Sequence, residues 1–366
     1  MSASDSESIA PLSPQQADIL KTFREQLFAE GILHEGDSIG TDDPTLLRFL
    51  RARKFNLNES KKMIQNCQHW RKTVSGIGID ELYNRMDPFD YPGREHVFNS
   101  WSMSFHKTRS AEHSINMHRA VPYVEQKGRP VNIQSFEGLN LPELYKHVAP
   151  ETVVESVVVN GDALPREVFP AASRAAGRRI EQSLVIVDLK GFGLSQFWQV
   201  KSLVQISFQI SQDYYPEMMG QLAIINAPSS FTFIWSAVKP WLSKETVDKV
   251  DILGKDYKDV LLQLVDVDNL PAGLGGNCTC SDAGGCVLSS AGPWMDERLA
   301  KKAMEKEGAY SAGPDESCTP TETPSEQISS TSTQSEESVE PVNAIDEKVI
   351  RGDSTVEAVT ATLEVS

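Results

Sequence analysis

Four cations crowd one short segment, as Arg48, Arg51, Arg53 and Lys54 in LLRFLRARK. Basic residues near a helix end favour its dipole, but this density also supplies donors for a phosphate. Far along the chain, Glu217 follows Tyr-Tyr-Pro, and Thr246 and Lys249 follow an aromatic-rich stretch. Cations that grip a phosphate and a carboxylate that accepts from hydroxyls suit one kind of ligand, of which a lipid headgroup is an example.

No catalytic set assembles beside them. Gly191-Phe192-Gly193 follows a candidate strand, yet Leu194 to Gln196 supplies no third glycine, and Gly273 to Gly276 lacks the lysine and hydroxyl of a phosphate loop. Asp188, at a strand end, is a candidate general acid, but a carboxylate there more often caps or pairs. Cys278, Cys280 and Cys286 cluster in CTCSDAGGC. Structural zinc needs a fourth ligand and no histidine follows His147, so they read as loop cysteines and no metal is expected. A binding pocket outranks catalysis, and the chain is read as not an enzyme.

The elements that must position these groups follow from periodicity. Gln221 to Asn226 is an apolar run bounded by Gly220 and Pro228, which fits a buried strand, and Leu184 to Gly191 is a second that ends in a turn. Arg129 to Phe136 and Val250 to Leu253 complete the candidates, with helices expected over Leu141 to Val148, Glu151 to Val159 and Ser195 to Tyr214. Strands alternating with helices of this length imply a mainly parallel α/β sheet. Residues between Asp80 and Lys127 read mostly as loop. Upstream, Gln15 to Glu30, a helix opened by Pro44 and another from Asn58 form a small helical module.

After Pro228, apolar residues Phe231, Ile234, Trp235, Val238, Trp241 and Leu242 recur at helical spacing, and Phe233 and Ala237 make the opposite face apolar too. Such a helix is either part of the core or a lid that closes an apolar cavity and meets a membrane, with Lys239, Lys244 and Lys249 near headgroups.

The chain has 366 residues, a net charge of −16 and five cysteines. Two or three domains fit that length. The cysteine number suits a reducing compartment, and neither a signal peptide nor a membrane span is expected. Most of the negative charge lies beyond Lys306, in Ser-, Thr-, Glu- and Pro-rich sequence that cannot bury enough apolar area to order itself. Its hydroxyls are candidate phosphorylation sites.

LLRFLRARKF, NCQHWRK, HKT, GRPV, SRAAG, VDLKG, ISQDYYPE, IINAP, KPWL, NLPAGLGG and GPWMD, in that order from about residue 42 to 296, resemble the CRAL-TRIO lipid-transfer family, and specifically its fungal phosphatidylinositol/phosphatidylcholine transfer members. The resemblance implies a helical module packed on an α/β lipid-binding domain with a mobile gate helix carrying Phe231, Ile234, Trp235, Val238 and Trp241. With the composition of the two ends, it gives these expected units: 1–13 disordered, 14–75 the helical module, 95–282 the lipid-binding domain, 283–303 an extension, and 304–366 a disordered acidic tail. It assigns phosphatidylinositol headgroup binding to Arg53, Lys54, Glu217, Thr246 and Lys249.

The family's phosphatidylcholine positions fall on Phe105 and Asn132, in place of two tyrosines, and on Ser183 and Val185, in place of a serine and threonine pair. Phe105 keeps a ring but loses the hydroxyl, so a second lipid other than phosphatidylcholine, or none, is open here. The resemblance further implies no cofactor beyond the bound phospholipid, a monomer that docks transiently on membranes, and presentation of lipid to lipid kinases. Its setting would be the cytoplasm, at Golgi and endosomal surfaces that support vesicle traffic, with no nucleic acid as partner. The alternative is a module that senses a sterol or another phospholipid. The segment from Thr108 to Val121 is longer than the family pattern and reads as a surface loop or a membrane or partner contact.

Overall fold

The computed structural model describes residues 12–109 and 128–311. Helices α1 (Pro14–Ala29), α2 (Asp43–Ala52) and α3 (Leu57–Thr73) form the first module. Each starts on a side chain that satisfies an orphan amide: Ser13 in a reciprocal box with Gln16, Asp42 for Thr45, and Asn56 for Glu59. Such caps contribute about 1 kcal/mol each. Ser13, expected in the disordered N-terminus, is therefore part of the fold. The apolar stripes of the three helices meet in one core around Phe23, Leu27, Leu46, Leu50 and Ile64.

The expected loop after Asp80 is corrected: α4 (Ile79–Arg85), α5 (Arg94–Ser100) and β1 (Ser102–Thr108) occupy much of its first part. β1 alternates Met103 and Phe105 with Ser102, Ser104 and His106, and all five are buried. A polar face reads as solvated in sequence, but here the C-terminal segment near Ala291 covers it. The expected insertion beyond Arg109 lies outside the described residues. Its base is closed by the Arg109 amide donating to the Arg129 carbonyl, 2.8 Å, and the Gly128 amide donating to that of Arg109, 2.6 Å.

β2 (Pro130–Ser135) is followed by α6 (Leu141–Leu144), α7 (Pro150–Ala163) and α8 (Phe169–Ala176), the last two joined by a π turn. Then come β3 (Ser183–Asp188), α9 (Leu194–Tyr214), β4 (Met219–Ile225), α10 (Phe231–Val238), α11 (Lys244–Val247), β5 (Val250–Ile252) and α12 (Lys258–Leu264). The five strands lie in sequence order, with β1 antiparallel to β2 and the others parallel.

Right-handed crossovers between parallel strands that advance in one direction all fall on one face of the sheet. α7, α8, α9 and α10 accordingly cluster with Met103, Val185, Val187, Leu222 and Ile224. The opposite face, with Val131, Ile133, Leu184, Ile186, Ala223 and Ile225, is covered by α12 through Leu261 and Leu264. Strand alternation thus divides each strand between two environments.

A buried polar weld joins the helical module to this domain. Asp162 on α7 accepts from Arg71 of α3 at 2.8 Å and from the Tyr215 hydroxyl at 2.9 Å, and it also pairs with Arg166. Trp70 stacks on Tyr214 at 4.1 Å and meets Tyr215 edge-on. Both contacts lie within a few residues of Glu217, so the weld also fixes the backbone around that residue.

α13 (Cys286–Ser289) and α14 (Pro293–Ser311) end the described chain. α14 runs past the expected boundary at residue 303. The rest of the acidic tail, and residues 1–11, lie outside the described residues. Among the described residues no helix is long and apolar enough to cross a membrane.

Candidate functional site

A cavity of about 720 Å³ opens between the crossover face of the sheet and helices α9 and α10. This size suits a ligand site rather than a packing defect. Its walls come from alternate strand positions: Trp101, Met103 and Phe105 on and before β1, Val185 and Val187 on β3, and Leu222 and Ile224 on β4. α9 adds Phe197, Val204, Phe208 and Ile210. Phe105, Asn132 and Val185 are register partners and make one row across three strands, with Ser183 two residues before Val185. Gln134 donates to the Asn132 carboxamide oxygen at 3.0 Å, and the Ser183 hydroxyl donates to the Met218 carbonyl at 3.4 Å. All four candidate second-lipid positions therefore line the same cavity.

One end of the cavity is ionic. Arg53, Lys54, Glu217, Thr246 and Lys249 all line it. Lys249, at the threshold of β5, pairs with Glu217 at 2.9 Å, and Lys54 pairs with Glu245 at 3.2 Å across the gap between α2 and α11. Thr246 is held by Ser243, hydroxyl to hydroxyl at 3.0 Å. Lys54, Phe55 and Glu217 all adopt positive φ, at 51°, 61° and 62°. Left-handed backbone at residues other than glycine costs about 1 kcal/mol or more and persists where surrounding contacts impose it.

Three further groups stand here: Asp213 and Gln212 were missed in the sequence, and Arg51 was one of the four crowded cations but not among the five given a headgroup role. Asp213 stands at the same mouth; burial pushes its carboxyl up, and the nearby Arg53 pulls it down. Burial lowers the Arg51 guanidinium, while Glu181 and Glu217 favour its charge. Gln212 clasps the chain after α10 by donating to the Trp241 carbonyl at 2.9 Å and accepting from the Ser243 amide at 3.0 Å. Asp213 and Gln212 are ordinary polar residues near a helix end, and their residue types alone do not mark them.

The single long gate helix expected through Leu242 is corrected. α10 stops at Val238, a tighter turn spans Lys239–Trp241, and α11 follows. Pro240 lacks the amide an α-helix would need there, which explains the break. Phe231, Ile234 and Val238 are buried against the cavity, Trp235 and Trp241 also line it, and Phe233 stands 55% exposed on the outer side. Lys249 faces Glu217 in the mouth, not the outer face with Lys239 and Lys244.

Asp188 caps a turn: it accepts from the Lys190 amide at 2.9 Å and from the Asn226 carboxamide at 2.7 Å. The three clustered cysteines do have a histidine beside them. It is His106 of β1, and one of its ring nitrogens and the three sulfurs lie within 4.8 Å of one another. His106 lies far upstream of the cysteines, on the edge strand, and only the fold brings it to them.

Two family descriptions match the chain: the CRAL/TRIO domain over residues 119–276 and its N-terminal domain over residues 17–66. Together the two matches cover more than half of the chain, and the chain belongs to the CRAL-TRIO family.

Among curated relatives, the Sec14 cytosolic factor of Schizosaccharomyces pombe is 42% identical over 261 residues, covering 71% of this chain and 83% of that protein. The SEC14 cytosolic factor of Kluyveromyces lactis is 38% identical over 300 residues, covering 82% and 91%. The phosphatidylinositol/phosphatidylcholine transfer protein SFH12 of Arabidopsis thaliana is 31% identical over 300 residues, covering 82% of this chain and 51% of its own length.

Proposed function

We propose that this protein binds phosphatidylinositol and transfers it between membranes without breaking a covalent bond. The observation that carries the reading is the convergence of an apolar cavity with five groups, Arg53, Lys54, Glu217, Thr246 and Lys249, at its ionic end. Acyl chains lie along the wall made by Val185, Val187, Leu222 and Ile224. At the mouth, Lys249 turns from Glu217 to the phosphodiester, and Glu217 then accepts from inositol hydroxyls. Arg53 and Lys54 add charge-assisted donors, and the Thr246 hydroxyl completes the shell. Relatives named as phosphatidylinositol/phosphatidylcholine transfer proteins support the same chemistry.

Exchange requires α10 to move. Exposing Phe231, Ile234 and Val238 to water would cost roughly 5–9 kcal/mol by transfer of their side chains. A membrane removes most of that cost, so the gate opens at the bilayer, where Phe233 already presents an apolar contact. The protein then serves as a monomer that visits Golgi and endosomal surfaces, presents phosphatidylinositol to lipid kinases and supports vesicle traffic.

Transfer between vesicles tests this reading. Phosphatidylinositol is expected to move faster than phosphatidylcholine or a sterol. Equal or preferential movement of a sterol would favour the alternative, a sensor for another hydrophobe. Phosphatidylcholine is expected to be the weaker ligand, since Phe105 and Asn132 offer no phenolic hydroxyl beside a choline group.

A further inference from the structure

His106 is fully buried, yet neither of its ring nitrogens has a hydrogen-bond partner. Buried polar atoms are almost always satisfied, so two on one ring call for a partner. Three sulfurs surround it. Cys278 and Cys280 lie 3.5 Å apart at sulfur, Cys286 returns to donate to the Cys278 carbonyl at 3.2 Å, and all four possible ligand atoms fall within 4.8 Å.

We propose that His106, Cys278, Cys280 and Cys286 bind one Zn²⁺ in a tetrahedral site that fastens the C-terminal extension to the edge strand of the sheet. A tetrahedron with Zn–S bonds of about 2.3 Å sets its sulfurs about 3.8 Å apart, close to the spacing already present. The donor set is three soft sulfurs and an imidazole, with no carboxylate among them, which favours zinc over calcium or magnesium. Four protein ligands leave no open position, so the site is structural and supplies no reaction.

The backbone on both sides is shaped for it. The register of β1 against β2 shifts between Phe105 and Thr108, and Lys107 has φ of 53°. This bulge turns His106 towards the cysteine loop while Phe105 faces the cavity. On the loop, Cys280 at φ 45° and Gly284 and Gly285 at 75° and 92° reverse the chain, so that Cys286 comes back to Cys278. Zinc binding forms three thiolate bonds and one imidazole bond, and the three thiol protons leave to solvent with no change of oxidation state. The resulting site carries one net negative charge, which the Lys107 ammonium beside Cys278 offsets.

The site also anchors the start of the C-terminal helices. Arg94 donates to the Leu288 carbonyl at 3.1 Å and to the Ser290 hydroxyl at 2.9 Å, and Trp294 packs edge-on against Phe105 of the cavity wall. The metal therefore holds the segment that backs one wall of the pocket.

The test uses the full chain purified under reducing conditions without added metal. Elemental analysis is expected to find one zinc per chain, and replacement by Co²⁺ to give tetrahedral visible bands with a thiolate-to-cobalt band in the near ultraviolet. His106→Cys is expected to keep the metal and to raise that charge-transfer band by about a third, from three thiolates to four. Cys280→Ser/Cys286→Ser is expected to lose it. Absence of zinc together with no cobalt spectrum in the wild type would overturn the proposal, as would a disulfide among the three cysteines or a zinc that survives in the double variant. The wild-type spectrum does not depend on whether any variant folds.

Discussion

Leu184 and Ile186 on one side of β3, and Val185 and Val187 on the other, are similar residues in the same strand, yet they meet different surroundings. The first pair is buried to 1% and 0% exposure under α12, while the second lies half-buried along the cavity. The difference comes from the helices. α12 returns after the last strand and settles Leu261 and Leu264 directly on the sheet. α9 and α10, carried over by crossovers, leave about 720 Å³ between themselves and the other face. One face is therefore a core that holds the fold, and the other is a wall that waits for a ligand.

The largest expected effect comes from treating the two faces alike. Ile186→Ala should lower unfolding stability by about 3 kcal/mol, since it opens a void in a closed core. Val187→Ala should cost about 1 kcal/mol or less in the lipid-free protein, because its side chain already borders open space. Urea midpoints of the two variants measure the contrast, and equal losses would mean that the crossover face is packed as tightly as the other.

A smaller effect concerns how the open face is closed. Gln212→Ala removes both hydrogen bonds that clasp the chain after α10. If the two bonds together contribute about 1–2 kcal/mol to the closed state, lipid exchange should quicken some 5- to 30-fold, with a loss of overall stability no greater than that. An unchanged exchange rate, followed by fluorescent-lipid release to vesicles, would show that the clasp does not hold the gate.

Smallest is the charge kept at the mouth. Burial raises the Asp213 carboxyl against the pull of Arg53. A raised carboxyl binds its proton more tightly in the folded state, so its contribution is favourable in acid and is lost as pH rises above the unfolded value of 3.8. Asp213→Asn should therefore raise stability slightly near neutral pH, and that gain should vanish below the unfolded value. Stability measured across that range checks both halves of the statement.

What could be read in the sequence divides along the same line as the two faces. The runs that became β3 and β4 were legible because strands buried on both sides are continuously apolar. That one side would remain open was not, because Val185 and Val187 look no different from Leu184 and Ile186. β1 was missed for the opposite reason: Ser102, Ser104 and His106 suggest a solvated edge, and only the distant C-terminal segment covers them. The five mouth residues were singled out because their charges and hydroxyls suit a phosphate-bearing ligand, and the family motifs assigned them a role; Gln212 and Asp213 stand in the same ISQDYYPE segment as Glu217, but nothing in their type showed that one would clasp the chain after α10 and the other face Arg53. The helix break after Val238 was signalled by Pro240, but the apolar stripe that runs through it concealed the signal.

The central claim is that the ionic mouth selects the lipid that fills the open face. The most direct test is mass spectrometry of lipid extracted from the purified wild type and from Lys249→Glu, which sets two carboxylates against each other where an ion pair stood. The account predicts phosphatidylinositol in the wild type and at least a tenfold loss in the variant, equivalent to about 1.4 kcal/mol or more of headgroup binding, with an unchanged fold by circular dichroism. Equal phosphatidylinositol content in a folded Lys249→Glu protein would contradict it.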